Sequence, residues 1–275
     1  MSFDFDGQIL LAGAGKMGAA MLAGWLARGI APSRIVIQDP NLEGDAAALV
    51  RKHGVDCRSV LHDLQTPPAV MILAVKPQAI DQVFPPLAKL AGLQTVVLSI
   101  AAGKSIASFE QHLAPRRAVV RAMPNTPAAI GRGISGAVAN EFVSPLQKTY
   151  CDQLLGAIGE VVWLHDESLI DAVTAVSGSG PAYVFLLTEC LAEAGRAAGL
   201  APDLALKLAR ATVSGSGELM RQSALDPATL RQNVTSPGGT TAAALNILMR
   251  DPDGLGSLMH DAVQAALMRG KELGK

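Results

Sequence analysis

The alternation of short apolar runs with helical stretches is the feature that most limits the folds open to this chain. Eight apolar runs before residue 165 are predicted strands, and amphipathic stretches lie between most of them. The run 70–75 is apolar on both faces, which is typical of parallel strands covered by helices on each side. After Asp166 only helical patterns follow. The sequence therefore predicts an α/β domain with a doubly wound, mostly parallel sheet over residues 1–165, and an all-α domain over residues 166–275.

The predicted elements cover most of the chain. The predicted strands are 8–12, 34–39, 55–57, 69–75, 95–100, 118–122, 134–140 and 161–164. The predicted helices include 17–28, 42–52 and 80–90, followed by 169–176, 182–198, 203–222, 227–232, 241–250 and 255–273. The helix 182–198 is apolar on nearly every side, which a domain of about 110 residues does not bury alone. A subunit interface, and with it a homo-oligomer, is therefore predicted.

Composition and charge exclude several classes of protein. Apolar residues make up 49% of the chain and the formal net charge is −1, so a large core is expected and general nucleic-acid binding is not. No apolar run reaches the length of a membrane span. The cysteines occur singly and the histidines stand apart, so no metal site is predicted. The first six residues lack a signal-peptide pattern, and the expected location is the cytoplasm.

A glycine-rich turn follows the first predicted strand. The segment Gly13-Ala14-Gly15-Lys16-Met17-Gly18 has the G-x-G-x-x-G spacing between a strand and an amphipathic helix. In such turns the first glycine permits a tight turn, the second lets a pyrophosphate approach the backbone, and the third lets the helix pack on the strand. The sequence therefore predicts a Rossmann-like dinucleotide-binding domain. The cofactor-binding residues predicted in this turn are Gly13, Gly15, Lys16, Met17 and Gly18.

Asp39 ends the next predicted strand. A carboxylate at this place accepts a hydrogen bond from the ribose 2′-OH of a dinucleotide and repels a 2′-phosphate. The other interpretation is a helix cap ahead of Pro40 and Asn41.

Two further loops follow predicted strands, where open α/β sheets bind ligands. In Ala74-Val75-Lys76-Pro77, Lys76 either reaches the ribose or phosphates of the cofactor or is an ordinary surface lysine. Asn125 follows the sixth strand between two prolines. It either hydrogen-bonds the nicotinamide ribose or carboxamide, or belongs to a rigid turn.

The helical part of the sequence contains two more candidate segments. Ser236-Pro237-Gly238-Gly239-Thr240-Thr241 opens an apolar helix, and its backbone N–H groups suit a small anion. The segment 177–181, which begins with Ser177, breaks one predicted helix and starts the next, so it either walls a substrate pocket or is a hinge. A dinucleotide site and a small-anion site in one chain indicate an oxidoreductase acting on a small carboxylate. Hydride transfer fits the scarcity of acid and base side chains in these motifs.

Together these motifs resemble the pyrroline-5-carboxylate reductase family over nearly the whole chain, most specifically in 176–183 and 234–241. The resemblance implies reduction of the C=N bond of a cyclic imino acid, 1-pyrroline-5-carboxylate, to L-proline with NADPH or NADH, the last step of proline biosynthesis. It implies that Thr241 is the catalytic hydroxyl beside the ring nitrogen, and that Ser236 and the backbone of Gly238, Gly239, Thr240 and Thr241 hold the carboxylate. It also implies that Ala101 lies in the cofactor site, and that the helical domain forms dimers or rings of dimers.

One departure from the family and three alternatives stay open at this point. Many members that use NADPH carry an arginine where this chain has Asp39-Pro40, so NADH is expected to compete with NADPH. A β-hydroxyacid dehydrogenase is the first alternative, although 182–195 lacks the lysine expected of one. An imine reductase for another cyclic imine is the second. A dinucleotide-binding sensor without turnover is the third.

Overall fold

A computed structural model describes residues 7–274, so the expectation about the first six residues lies outside the described part. The strands are β1 (Ile9–Ala12), β2 (Ile35–Gln38), β3 (Asp56–Arg58), β4 (Val70–Leu73), β5 (Val96–Ser99), β6 (Ala118–Pro124), β7 (Gly133–Ala139) and β8 (Gly159–Trp163). They form one sheet in the order β3-β2-β1-β4-β5-β6-β7-β8. Within the described residues every neighbouring pair is parallel except β6 and β7. The predicted doubly wound, mostly parallel sheet is confirmed.

The helices fall into two groups along the chain. Those among the strands are α1 (Lys16–Ala27), α2 (Gly44–His53), α3 (Ile80–Ala88), α4 (Ile106–Glu110) and α5 (Pro145–Gly156). Those after the last strand are α6 (Ile170–Val173), a π-helix (Thr174–Gly178), α7 (Gly180–Ala197), α8 (Pro202–Gln222), α9 (Pro227–Asn233), α10 (Thr240–Leu248) and α11 (Leu255–Leu273). Local sequence sets several starts. For α5, Ser144 and Gln147 form a capping box, and for α8, Pro202 occupies the first position.

The sheet is buried on both faces because its strands carry apolar side chains in both directions. Ile9 and Leu11 belong to one core cluster together with Trp25. Leu10 belongs to the opposite cluster together with Phe84 and further residues of α3 and α4. The indole Nε1 of Trp25 donates to the carbonyl of Leu154 at 3.0 Å, which joins α1 to α5 across the core. In the central strands this arrangement leaves the ends and the loops after them accessible, while the edge strands β3 and β8 are partly exposed.

The chain divides into two compact units, residues 7–178 with 267–274, and residues 179–266. The first unit contains the whole sheet, and the second is helical, as expected. The division lies further along the chain than the predicted boundary at residues 165 and 166. The reason is that Ile170 and Ala175 are fully buried in the first unit, so α6 and the π-helix belong with the sheet.

The structure narrows the expected break at residues 177–181 to a single residue. Ser177 and Gly178 lie in the π-helix, and Ser179 alone separates it from α7. Pro181 is tolerated because it lies in the first turn of α7, where its missing N–H has no helical partner to lose. The segment is therefore helical except at Ser179, with one widened turn before it.

The apolar side chains of α7 are exposed in the described chain. None of its residues is buried, and Phe185 and Leu186 are 61% and 58% exposed. By length and composition alone, the stretch Glu167–Ala197 is also long and apolar enough to cross a membrane, although no single uninterrupted apolar run in it reaches that length. Because core helices of soluble proteins also have this length and composition, one such stretch is weak evidence for a membrane. Exposed apolar surface of this extent marks an interaction surface.

We expect Phe185→Glu to disrupt association between copies of the chain, because it places a charge where apolar side chains would be covered. Light scattering at micromolar concentration should show a dimer or larger species for the parent protein and a smaller species for the variant. Leu93→Glu is the matched control, since Leu93 is an exposed leucine of the first unit. A well-behaved monomer of the parent protein would contradict the expectation.

Candidate active site

The glycine turn lies where the strand order reverses, between β1 and β4. Gly13 has φ +88°, which favours glycine, and a Cβ there would lie 2.8 Å from Val75 Cγ1. A Cβ on Gly18 would strike the carbonyl oxygen of Gly13. Both glycines therefore let β1, its turn and α1 pack closely against the end of β4. Open α/β sheets bind their ligands at such a reversal.

Gly15 has a different environment from its two neighbours. A Cβ on Gly15 would meet nothing within 4 Å, so this stretch of backbone faces open space. Gly15 is also the N-cap of α1 and has no side chain to cap it. The first N–H groups of α1, beginning with Lys16 and Met17, therefore keep hydrogen-bonding capacity for an anion. The turn thus fits the pyrophosphate of a dinucleotide.

The carboxylate of Asp39 lies beside this turn. Its Oδ2 accepts from the backbone N–H of Ala14 at 2.7 Å, and its Oδ1 accepts from the N–H of Asn41 at 2.8 Å. Helix α2 begins only at Gly44 with Glu43 as its N-cap, so the alternative that Asp39 caps a helix is wrong. Asp39 instead joins the loop after β2 to the glycine turn, at the edge where a ribose would lie.

Two other predicted cofactor segments follow neighbouring parallel strands. Ala74 and Val75 come directly after β4 and contact Gly13, while Lys76 is exposed ahead of a short turn that begins at Pro77. Ala101 follows β5, and its N–H donates to Ser99 Oγ at 3.2 Å. Because the carboxyl ends of parallel strands lie at one edge, the structure places these segments along the same side of the sheet as the glycine turn.

Asn125 follows β6 at this edge, and both ends of its amide are engaged. Its Oδ1 accepts from the backbone N–H of Ile134 at 2.9 Å, and its Nδ2 donates to Ser177 Oγ at 3.2 Å. The structure thus brings together a residue predicted to contact the cofactor and one predicted to contact the substrate.

The predicted anion loop lies in the second unit, between α9 and α10. Gly238 has φ +69°, and Gly239 is the N-cap of α10 with no side-chain cap. The Gly239 N–H donates to the carbonyl of Ser236 at 3.0 Å, which closes the turn. Thr240 and Thr241 are the first two residues of α10, and Thr241 is half-buried while Thr240 is exposed. As in the glycine turn of the first unit, a helix start without a capping side chain offers its N–H groups to an anion.

Sequence reasoning missed a buried cation on β6. Arg121 is 6% exposed, and its Nη1 lies 2.9 Å from Glu167 Oε1, which also accepts from the N–H of Ile106 at 2.8 Å. Asp171 lies 3.7 Å from the other terminal nitrogen of Arg121. The signal was present, because an arginine inside the apolar strand run Ala118–Pro124 requires a buried acid partner. Within residues 7–274 no group of three or more metal-ligating side chains was found.

Comparison with known proteins identifies the family. The model described as pyrroline-5-carboxylate reductase dimerisation matches residues 167–273, and the one described as NADP oxidoreductase coenzyme F420-dependent matches residues 8–103. The pyrroline-5-carboxylate reductase of Pseudomonas aeruginosa is 41% identical, over 97% of this chain and 96% of its own. The chain belongs to the pyrroline-5-carboxylate reductase family. The predicted family, reaction and cofactors are therefore confirmed, and the reductase uses NADPH or NADH.

Solved structures of the family agree with this fold. The pyrroline-5-carboxylate reductase of Coxiella burnetii is similar with a TM-score of 0.91 at 35% identity, over 98% of this chain and 99% of that one. The Plasmodium falciparum pyrroline carboxylate reductase, solved with NADP bound, is similar with a TM-score of 0.82 at 28% identity, over 98% of this chain and 99% of that one. The match to a dimerisation model supports a homo-oligomer that acts on a small molecule. The dehydrogenase and sensor alternatives are set aside.

We expect Gly15→Ala to weaken dinucleotide binding without weakening the fold of the reductase. The added methyl enters open space at φ −63°, so the melting temperature should stay constant, while the affinity for NADH should fall roughly ten- to a hundredfold. Gly18→Ala is the contrasting variant, because its methyl strikes the carbonyl of Gly13 and should lower the melting temperature. Thermal unfolding and NADH fluorescence titration measure both effects. Unchanged NADH affinity in Gly15→Ala would exclude the pyrophosphate from this turn.

Proposed function

We propose that the two units divide the work of reducing 1-pyrroline-5-carboxylate. The first unit holds NADPH or NADH through the glycine turn, Asp39, the loop Ala74–Pro77 and Ala101. The loop Ser236–Thr241 of the second unit holds the substrate carboxylate. The observation that carries this proposal is the start of α10, whose glycine N-cap leaves backbone N–H groups for a small anion.

Thr241 is proposed to serve the ring nitrogen. The bound dinucleotide supplies a hydride, and reduction of C=N leaves electron density on the nitrogen, which must gain a proton. The carboxylate and the ring nitrogen of the substrate flank one carbon atom, so one short loop can serve both. Thr241 is half-buried at the second position of α10, beside the N–H groups proposed for the carboxylate. Its hydroxyl orients the imine and relays a proton from water.

Asp39 is proposed to make NADH at least competitive with NADPH. Its carboxylate faces the glycine turn, and no arginine follows it in the sequence, since Pro40 and Asn41 come next. Arg58 lies beside Asp39, with its carbonyl accepting from the Asp39 N–H at 3.0 Å, but its guanidinium pairs with Asp56 at 2.8 Å. A 2′-phosphate at this edge would meet like charge, whereas a ribose hydroxyl can donate to a remaining lone pair of the carboxylate.

The assembly and location of the reductase are proposed from its surface and composition. A dimer, or a ring of dimers, would cover the exposed apolar face of α7. With a net charge of −1 and single cysteines, the chain suits a cytoplasmic enzyme without nucleic-acid or membrane partners. We propose a functional boundary at residues 165 and 166, because the matched dimerisation region begins at residue 167, although α6 and the π-helix pack in the first unit.

The cofactor preference should move toward NADPH when the charge of Asp39 is removed and a cation is added. In Asp39→Ser with Pro40→Arg, the ratio of kcat/KM for NADPH over NADH should rise roughly ten- to a hundredfold, about 1–3 kcal/mol. Steady-state assays with both cofactors measure it. Glu141→Ser removes the same charge from an exposed turn of the same unit and should leave the ratio unchanged. An unchanged ratio in the double variant would limit Asp39 to its bonds with Ala14 and Asn41.

Loss of the Thr241 hydroxyl should slow the chemical step. Thr241→Ala should lower kcat/KM for pyrroline-5-carboxylate roughly ten- to a thousandfold, about 1.4–4 kcal/mol of transition-state stabilisation, with nearly constant NADH affinity. Thr241→Ser should keep most activity, and Ser236→Ala should mainly raise KM. Thr240→Ala is the matched control. If Thr240→Ala is slow and Thr241→Ala is not, the other hydroxyl is the reacting one, and if both remain active, the loop binds substrate through its backbone alone.

A further inference from the structure

The amide of Asn125 fixes the direction of a short chain of hydrogen bonds. A backbone N–H can only donate, so the Ile134 N–H, 2.9 Å away, requires the amide oxygen of Asn125 on its side. The amide nitrogen therefore faces Ser177, and its N–H donates to Ser177 Oγ at 3.2 Å. A hydroxyl oxygen that accepts this bond keeps its own proton to donate. The Ser177 hydroxyl can therefore donate a hydrogen bond to a ligand.

The same face of β6 holds the segment that carries Ser177. Side chains two residues apart on a strand point the same way, and Arg121, Met123 and Asn125 follow that spacing. Arg121 pairs with Glu167 at 2.9 Å, and Gly178 lies against the side chain of Met123. The end of β6 thus sets the position of the π-helix, and Asn125 sets the polarity of its serine.

We propose that Asn125 is a positioning residue, and that it acts through Ser177 instead of binding the dinucleotide. Ser177 then donates a hydrogen bond from its hydroxyl to the substrate, whose carboxylate can only accept one. This inference rests on the proposed function, in which the substrate is 1-pyrroline-5-carboxylate. The oxygen of the Asn125 amide and one of its two N–H bonds are already used within the unit, which leaves little of the amide for a cofactor.

The sequence predicted that Asn125 hydrogen-bonds the nicotinamide part of the cofactor. This role and the positioning of Ser177 have different effects on the enzyme. A residue that positions Ser177 affects the use of pyrroline-5-carboxylate, whereas a nicotinamide ligand affects the affinity for NADH. The carboxamide oxygen of nicotinamide is also a hydrogen-bond acceptor, so Ser177 could donate to the cofactor instead of the substrate. Separate measurements of NADH affinity and of kcat/KM for the imino acid distinguish the two acceptors.

Asn125→Asp is the sharpest variant because it keeps the shape of the side chain. One carboxylate oxygen still accepts from Ile134, but the other cannot donate, so Ser177 must turn its proton inward. We expect kcat/KM for pyrroline-5-carboxylate to fall roughly ten- to a hundredfold, with Kd for NADH within about twofold of the parent value. The kcat/KM of Ser177→Ala for pyrroline-5-carboxylate should fall by the same factor. The double variant should be no slower than Ser177→Ala, because the two residues act as one unit.

The controls separate positioning from a general loss of structure. Ser177→Thr keeps the hydroxyl and should retain most activity. Thr174→Val removes a hydroxyl of the same π-helix that donates to the Ile170 carbonyl of α6 at 2.8 Å, and it should leave kcat/KM nearly unchanged. Melting temperatures report whether each variant folds. If Asn125→Asp does not fold, Ser177→Ala and Ser177→Thr carry the test, since Asn125 is intact in both.

Three outcomes would overturn the proposal. One is a large rise in Kd for NADH in Asn125→Asp or Ser177→Ala, which would place the nicotinamide at this chain of bonds. Another is additive losses in the double variant, which would make the two residues independent. The third is an active Ser177→Ala. By contrast, a folded parent protein that binds NADH but does not reduce pyrroline-5-carboxylate would refute the proposed function itself.

Discussion

The close approach of the glycine turn to the end of β4 is the constraint on which the first unit depends. No side chain fits at Gly13 or Gly18, because Val75 and the turn's own carbonyl occupy the space. This contact brings α1 onto the sheet at the point where the strand order reverses, and it leaves Gly15 facing outward. The dinucleotide site is therefore a consequence of packing that the fold requires in any case.

Each unit of the reductase contains a helix that starts at a glycine N-cap. In α1 and in α10 the N-cap is a glycine, Gly15 and Gly239, and neither helix start has a side-chain cap. Where a serine or aspartate would satisfy these N–H groups, as Ser144 does for α5, a glycine leaves them to a ligand. The pyrophosphate of the cofactor and the carboxylate of the substrate are both anions that suit such a helix start.

Strand β6 and the residue after it contact the region that the family's dimerisation model matches. Arg121 of β6 and Asn125, the residue after β6, contact the start of the region matched by the family's dimerisation model, through Glu167 and Ser177. A buried arginine that loses its partner is strongly destabilising, so this contact fixes the register of α6 and the π-helix. The exposed apolar side chains of α7 follow directly along the chain. Changes at β6 are therefore expected to influence both the site and the interface.

The sequence by itself determined the elements and the family, because those signals are local. Strand and helix periods, the turn from Gly13 to Gly18 and the loop from Ser236 to Thr241 are contiguous, so each could be recognised without knowing the fold. Tertiary structure alone decided which distant residues meet: Asp39 with the N–H of Ala14, Arg121 with Glu167, and Asn125 with Ser177. Such pairs depend on strand order and on the packing of α6, and no periodicity along the chain encodes either. The π-helix escaped prediction for the same reason, since it is set by contacts with β6 and not by its Ser-Gly sequence.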